Sequence, residues 1–174
     1  YLYKKAGKLS QLVGVLPKEL SGSWGIGHTR WATHGMVTDL NAHPFYGNRN
    51  KVAAVHNGII ENFQQLRADL QKEGVEFSSE TDSEVIPNLV EKHYSGNLLD
   101  AVQKALNEVI GTYALAITCV DEPDKIVVAK RGGPLVIGLS DNAYYIASDV
   151  NAIVGNTTRV IYLEDGDIVE VTKD

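Results

Sequence analysis

At 174 residues, 44% of them hydrophobic, the chain is sized for one well-buried domain and is short for two. Its net charge of −6, with a charged fraction of 22%, argues against a phosphate-tracking surface, so nucleic acid is not an expected partner. No apolar run approaches the ~20 residues of a membrane span, and the N-terminus lacks the apolar core of a signal peptide. The single cysteine, Cys119, leaves no disulfide framework within the chain, which fits a reducing, cytoplasmic setting.

The opening YLYKKAG reads either as a native strand or as a vector-derived linker. Leu9, Leu12, Val13 and Leu16 fall at i, i+3, i+4 and i+7, predicting a short amphipathic helix that ends before Pro17. Residues 22–33 interleave glycines with Trp24, Ile26 and Trp31, the pattern of a strand that something approaches closely; the spacing does not fit a dinucleotide-binding loop. A short strand over 51–55 then delivers His56, Asn57 and Gly58 to the start of a helix over 59–72, with Ile59, Ile60, Phe63, Leu66 and Leu70 as its buried stripe. On that reading Asn57 and Gly58 sit at a strand-to-helix junction, where backbone N–H groups point at a ligand.

Gly74 ends the helix, and a short strand is expected over 75–77. Asp82 is a candidate N-cap for the helix that carries Val85, Ile86, Leu89 and Val90, and another helix spans 98–110. From Gly111 the pattern changes to β-rich runs at 112–120, 125–130, 135–138, 143–147, 159–163 and 168–171, separated by tight turns. The expected class is therefore α+β, with antiparallel sheets in layers and helices outside.

Residues 28–62 hold four of the five histidines together with Arg30 and Asn57, in runs dense in glycine and threonine. Such a concentration of guanidinium, imidazole and amide groups suits a small anionic or carbonyl-bearing ligand. The spacing of His28, His34, His43 and His56 matches no zinc pattern, which leaves them as structural donors near a pocket or as ligand contacts. Arg30 reads either as a surface ion-pair partner or as a bidentate clamp on a carboxylate. Asp82 reads as a helix cap or as the partner of an ammonium. Asn57-Gly58 begins a helix, or else offers an amide and a backbone N–H as an oxyanion hole.

The runs GHTRWATHG (27–35), NAHP (41–44), HNGIIEN (56–62), SETDSEVI (79–86), RGGPLVIGL (131–139), ASD (147–149) and LEDGDIVEV (163–171) carry a resemblance that covers the whole chain in order. It is to the glutaminase domain of the glutamine:fructose-6-phosphate amidotransferases, which are class II glutamine amidotransferases. The resemblance implies the N-terminal-nucleophile hydrolase fold, a four-layer α/β/β/α sandwich with antiparallel sheets, as a single domain over residues 1–174 with its first strand missing. Arg30 would then bind the α-carboxylate of glutamine and Asp82 its α-ammonium, with Trp31, Thr33 and His34 lining the same pocket. Asn57 and Gly58 would form the oxyanion hole, with His43 as a supporting residue.

No cofactor or metal is implied. The implied partners are glutamine and glutamate, and a C-terminal sugar-phosphate isomerase domain in the parent protein; a homodimer is a further expectation. The implied activity is the glutaminase half of a reaction that moves the glutamine amide nitrogen to fructose 6-phosphate, giving glucosamine 6-phosphate and glutamate.

One departure matters. The family's nucleophile is a cysteine at the mature N-terminus, with its own α-amine as general base. This sequence opens on Tyr1, without roughly forty residues of the family pattern. Cys119, mid-strand in YALAITCV, is expected to be a buried apolar residue. The 174 residues alone are therefore expected to be inactive. The alternatives are a non-catalytic glutamine-binding module and the glutaminase domain of another class II amidotransferase.

Overall fold

The computed structural model describes residues 1–30 and 35–173. A five-stranded sheet has the order β1 (Phe45–Tyr46), β2 (Val52–Ile60), β3 (Gly111–Cys119), β4 (Glu122–Arg131) and β8 (Ile168–Thr172). A three-stranded sheet has β5 (Val136–Leu139) between β6 (Tyr144–Ala147) and β7 (Arg159–Tyr162). All pairings between these strands are antiparallel. The helices are α1 (Leu9–Val13), α2 (Phe63–Lys72), α3 (Val85–His93) and α4 (Leu98–Leu106). The class is α+β, and the described residues form the helix, sheet and sheet of the expected layering.

Alternation along the strands places one side-chain set on each face of the large sheet. Val52, Ala54, Ile60, Leu115, Ile117, Cys119 and Val127 pack with Leu66, Leu70, Leu89 and Val102 of the helices. Val55, Ala114, Ala116, Ile126 and Val128 face the other way and pack with Leu135 and Ile137 toward the smaller sheet. A sheet covered on both faces explains why YALAITCV and IVVA are nearly continuous in hydrophobicity. On β3 the helix side carries the large residues while the inter-sheet side carries Ala114 and Ala116. Side chains that small leave space between the sheets.

Several expectations are corrected. β2 does not stop at Val55: it runs to Ile60, and the helix starts only at Phe63. The register with β3 continues through Asn57↔Ala114, Gly58↔Tyr113 and Ile60↔Gly111, so Asn57 and Gly58 lie within a strand and not at a helix start. Ile60 fits either reading because it is buried against α2 from the strand. The segment 75–77 is not a strand. Gly74, at φ +90, lets the Val75 N–H return to the Leu70 carbonyl and the Gly74 N–H to that of Gln71, closing α2 in a Schellman turn.

Asp82 does not cap α3 with its side chain, because the helix begins at Val85 and the carboxylate is engaged by β2. The turn before α3 is closed by Glu84, whose carboxylate accepts the N–H and hydroxyl of both Ser78 and Ser79. α4 ends at Leu106, short of the expected 110, although Val109 is still buried. α1 ends at Val13 and buries none of its residues, so its apolar stripe meets no core. The described part of 22–33 forms no strand; Trp24 and Ile26 instead pack onto the inter-sheet core. Residues 1–7 likewise form no strand, and are tied to the loop at Asp39 by the Ala6 N–H and the Lys5 ammonium. β1 and the 3-10 turn Val150–Ala152 were not legible as elements.

Candidate active site

Strand β2 sorts the candidate residues by face. His56 follows the helix-facing residues Val52 and Ala54 in alternation, and its Nδ1 lies 2.8 Å from the Ser83 hydroxyl. Asn57, next along, faces the inter-sheet side with Val55. There a cavity of about 460 Å³ is lined by His28, Asn57, Ala114, Ala116, Leu135 and Ile146, among others.

The cluster is built on hydrogen bonds and ring contacts. His28 Nε2 lies 2.7 Å from Asn57 Oδ1, and the Arg30 N–H donates to His28 Nδ1 at 2.8 Å. The His28 ring stacks on His43 with centroids 4.2 Å apart, and His43 meets the ring of Phe45 edge-on at 4.7 Å. The His56 N–H donates to His43 Nδ1 at 3.3 Å. The stacked rings of His28 and His43 are thus tied to Asn57 at one end and to the His56 backbone at the other. Gly58 beside it stands at φ +133, and a Cβ there would lie 2.2 Å from the Thr112 carbonyl oxygen and 3.0 Å from His56 Nε2. No side chain fits that approach.

Burial sets the charge state of the cluster. It pushes His43 down to about 2, reinforced by His28, His56 and Arg30. Burial also lowers His28, against the bond to Asn57, and lowers His56, against the nearby Asp82 carboxylate. All three imidazoles are neutral at pH 7. The Arg30 guanidinium lowers His28 and His43 further, whereas the Asp82 carboxylate opposes the lowering of His56.

Arg30 adopts φ +41, an uncommon conformation for a side-chain-bearing residue, and its guanidinium donates to the Met36 carbonyl at 3.0 Å and that of Gly35 at 3.2 Å. Asp82 is buried; its Oδ2 accepts the Ile60 N–H at 2.8 Å. Neither Arg30 nor Asp82 lines the inter-sheet cavity. Trp31, Thr33 and His34 lie outside the described residues. Among the described residues no group of three or more His, Cys, Asp or Glu is arranged to hold a metal ion. Cys119 packs in the helix-side core, on the opposite face of the sheet from the cavity. His28 was expected only as one of four histidines near a pocket or ligand, and its pairing with Asn57 was not foreseen. Its signal was local: it lies two residues before Arg30, within reach of that residue's backbone N–H.

Comparison with known proteins identifies the family. Residues 28–155 match the model of the glutamine amidotransferase domain family, and the chain belongs to that family. Over 172 residues it is 49% identical to the glutamine--fructose-6-phosphate aminotransferase [isomerizing] of Clostridium perfringens, and 51% identical to that of Clostridium acetobutylicum. The enzyme of that name from Aquifex aeolicus is 48% identical. Each match takes in 98% of this chain, while the chain spans only 28–29% of these relatives. Among solved structures, the glutamine phosphoribosylpyrophosphate amidotransferase from B. subtilis superposes with a TM-score of 0.68 at 29% identity, over 83% of this chain and 32% of that one.

Proposed function

We propose that this domain hydrolyses the side-chain amide of glutamine within a longer protein that passes the ammonia to fructose 6-phosphate, yielding glucosamine 6-phosphate and glutamate. The observation that supports this best is Asn57, whose carboxamide lines the inter-sheet cavity with its Oδ1 held by His28 and with Gly58 next in the chain. In the reaction a thiolate attacks the carboxamide carbon, and the carbonyl oxygen takes up negative charge. The Asn57 Nδ2–H and the Gly58 N–H donate to that oxygen, the proton that the cysteine's α-amine took from the thiol passes to the amide nitrogen, ammonia departs, and water then cleaves the thioester to glutamate.

Arg30 is assigned to the α-carboxylate because a planar guanidinium pairs with it through two parallel bonds. Asp82 is assigned to the α-ammonium as a buried carboxylate near His56, next to Asn57 in the chain. The family resemblance assigns Trp31, Thr33 and His34 to glutamine as well, and His43, stacked on His28, to a supporting role. The remaining length of the relatives is assigned to a sugar-phosphate isomerase domain, and the parent to the cytoplasm as a homodimer. Among the described residues no helix is long and apolar enough to cross a membrane.

A second reading applies to the 174 residues alone. Cys119 is buried on the far face of the sheet and is no candidate nucleophile, so for these residues on their own the proposal is glutamine binding without turnover. Glutamate release separates the two. The full-length protein should release glutamate, and Asn57→Ala should slow it by roughly 10² to 10³ with little change in KM. The 174-residue chain should release none. A full-length protein without glutaminase activity, or an unchanged kcat in Asn57→Ala, would overturn the first reading; turnover by the short chain would overturn the second.

A further inference from the structure

We propose that His28 is a positioning residue whose Nε2–H fixes the side-chain amide of Asn57, so that Nδ2 is the group presented to the ligand. The inference deepens the glutaminase reading and rests on it. The bond of the Arg30 backbone decides the arrangement. An amide N–H can only donate, so His28 Nδ1, 2.8 Å away, is an acceptor and carries no proton. The proton of the neutral ring is then on Nε2, which must donate, and the atom 2.7 Å from it must be the carbonyl oxygen of Asn57 and not its amino group. The amide is thereby held in one of its two flips, leaving its two N–H donors for the cavity.

His28 in turn has little freedom. Its ring stacks on His43 at 4.2 Å, and His43 is anchored by the His56 N–H from β2 itself. Strand β2 therefore supplies both the amide and, through His43, the support of the ring that orients it. The opposite flip of Asn57 would aim a carbonyl oxygen at a developing oxyanion, turning a stabilising contact into a repulsive one.

Two substitutions separate positioning from packing. Glutamine places a side-chain NH₂ where histidine has Nε2, whereas asparagine reaches only as far as Nδ1. In the full-length protein, His28→Gln should keep kcat within a few-fold of the parent. His28→Asn and His28→Ala should each lower it by roughly tenfold to a hundredfold, with KM within about twofold. Combining His28→Ala with Asn57→Ala should cost no more than Asn57→Ala alone, because the first acts through the second.

Additive losses, or equal losses in the glutamine and asparagine variants, would overturn the positioning role while leaving Asn57 in place. An unaffected kcat in Asn57→Ala would overturn the glutaminase reading, and this proposal with it. The tautomer is checked independently of turnover by long-range ¹⁵N–¹H correlation on the 174-residue chain. His28 protonated on Nε2 alone at pH 7.5 is expected; a proton on Nδ1 would overturn the proposal.

Discussion

At Gly58 a methyl group would meet the Thr112 carbonyl oxygen at 2.2 Å, on a backbone already at φ +133. Gly58→Ala should therefore cost on the order of 2 to 4 kcal/mol, read as a lower urea midpoint at unchanged slope. A loss below about 0.5 kcal/mol would mean that the strand relaxes around the methyl. Arg30 is a test of fork geometry. Arg30→Lys keeps the charge and loses the two parallel bonds, so glutamine affinity should fall roughly tenfold or more by calorimetry, and undiminished affinity would remove Arg30 from the carboxylate. The residue types needed at this site were legible in the sequence, since few surface loops concentrate arginine, histidine and asparagine as residues 28–62 do. Their partners were not. His28 and Asn57 are 29 positions apart, and only the fold brings Nε2 to Oδ1.

Strand β2 is the element on which the site depends, and its entry is held by one carboxylate. Glu91 of α3 is buried and accepts the backbone N–H of Arg49 at 2.6 Å, Lys51 at 2.7 Å and Val52 at 3.0 Å. Glu91→Ala would leave these donors without their acceptor, and should cost roughly 3 kcal/mol in urea unfolding; Glu91→Gln, which keeps one carbonyl, should cost less. Equal stability of both variants with the parent would deny the anchor. The limit of the sequence reading also lies in this strand. Ile59, Ile60 and Phe63 match a helical stripe as well as a strand followed by a helix, and periodicity over so short a run cannot choose. Pairing with β3 decides it, a contact across more than fifty residues. The β-rich second half was legible because turns such as EDGD mark the strand ends locally, although DEPD misled: β4 begins at Glu122 and takes in Pro123 and Asp124. α1 shows the converse: good local spacing, and no core to bury it.

For the molecule as a whole, the buried histidines link the site to stability. His43 binds a proton near pH 6.5 in the unfolded chain but only near pH 2 in the native one. Between those values the unfolded state holds more protons, so stability is complete above pH 6.5 and declines as the pH falls below it. His28 and His56 are lowered too and act in the same direction. The urea midpoint should therefore drop between pH 7.5 and pH 5, where carboxylates contribute little, and should drop less in His43→Gln. A flat profile over that range would mean that the cluster takes up protons while folded.

On the proposed function, this chain carries the glutamine-recognising half of an amidotransferase. Titration calorimetry of the 174-residue chain with L-glutamine, and with analogues lacking the α-amine or the α-carboxylate, tests it most directly. Saturable binding of one glutamine per chain is expected, weakened at least tenfold for either analogue, as loss of a charged partner should do. Absence of saturable binding, or equal affinity for all three compounds, would contradict it.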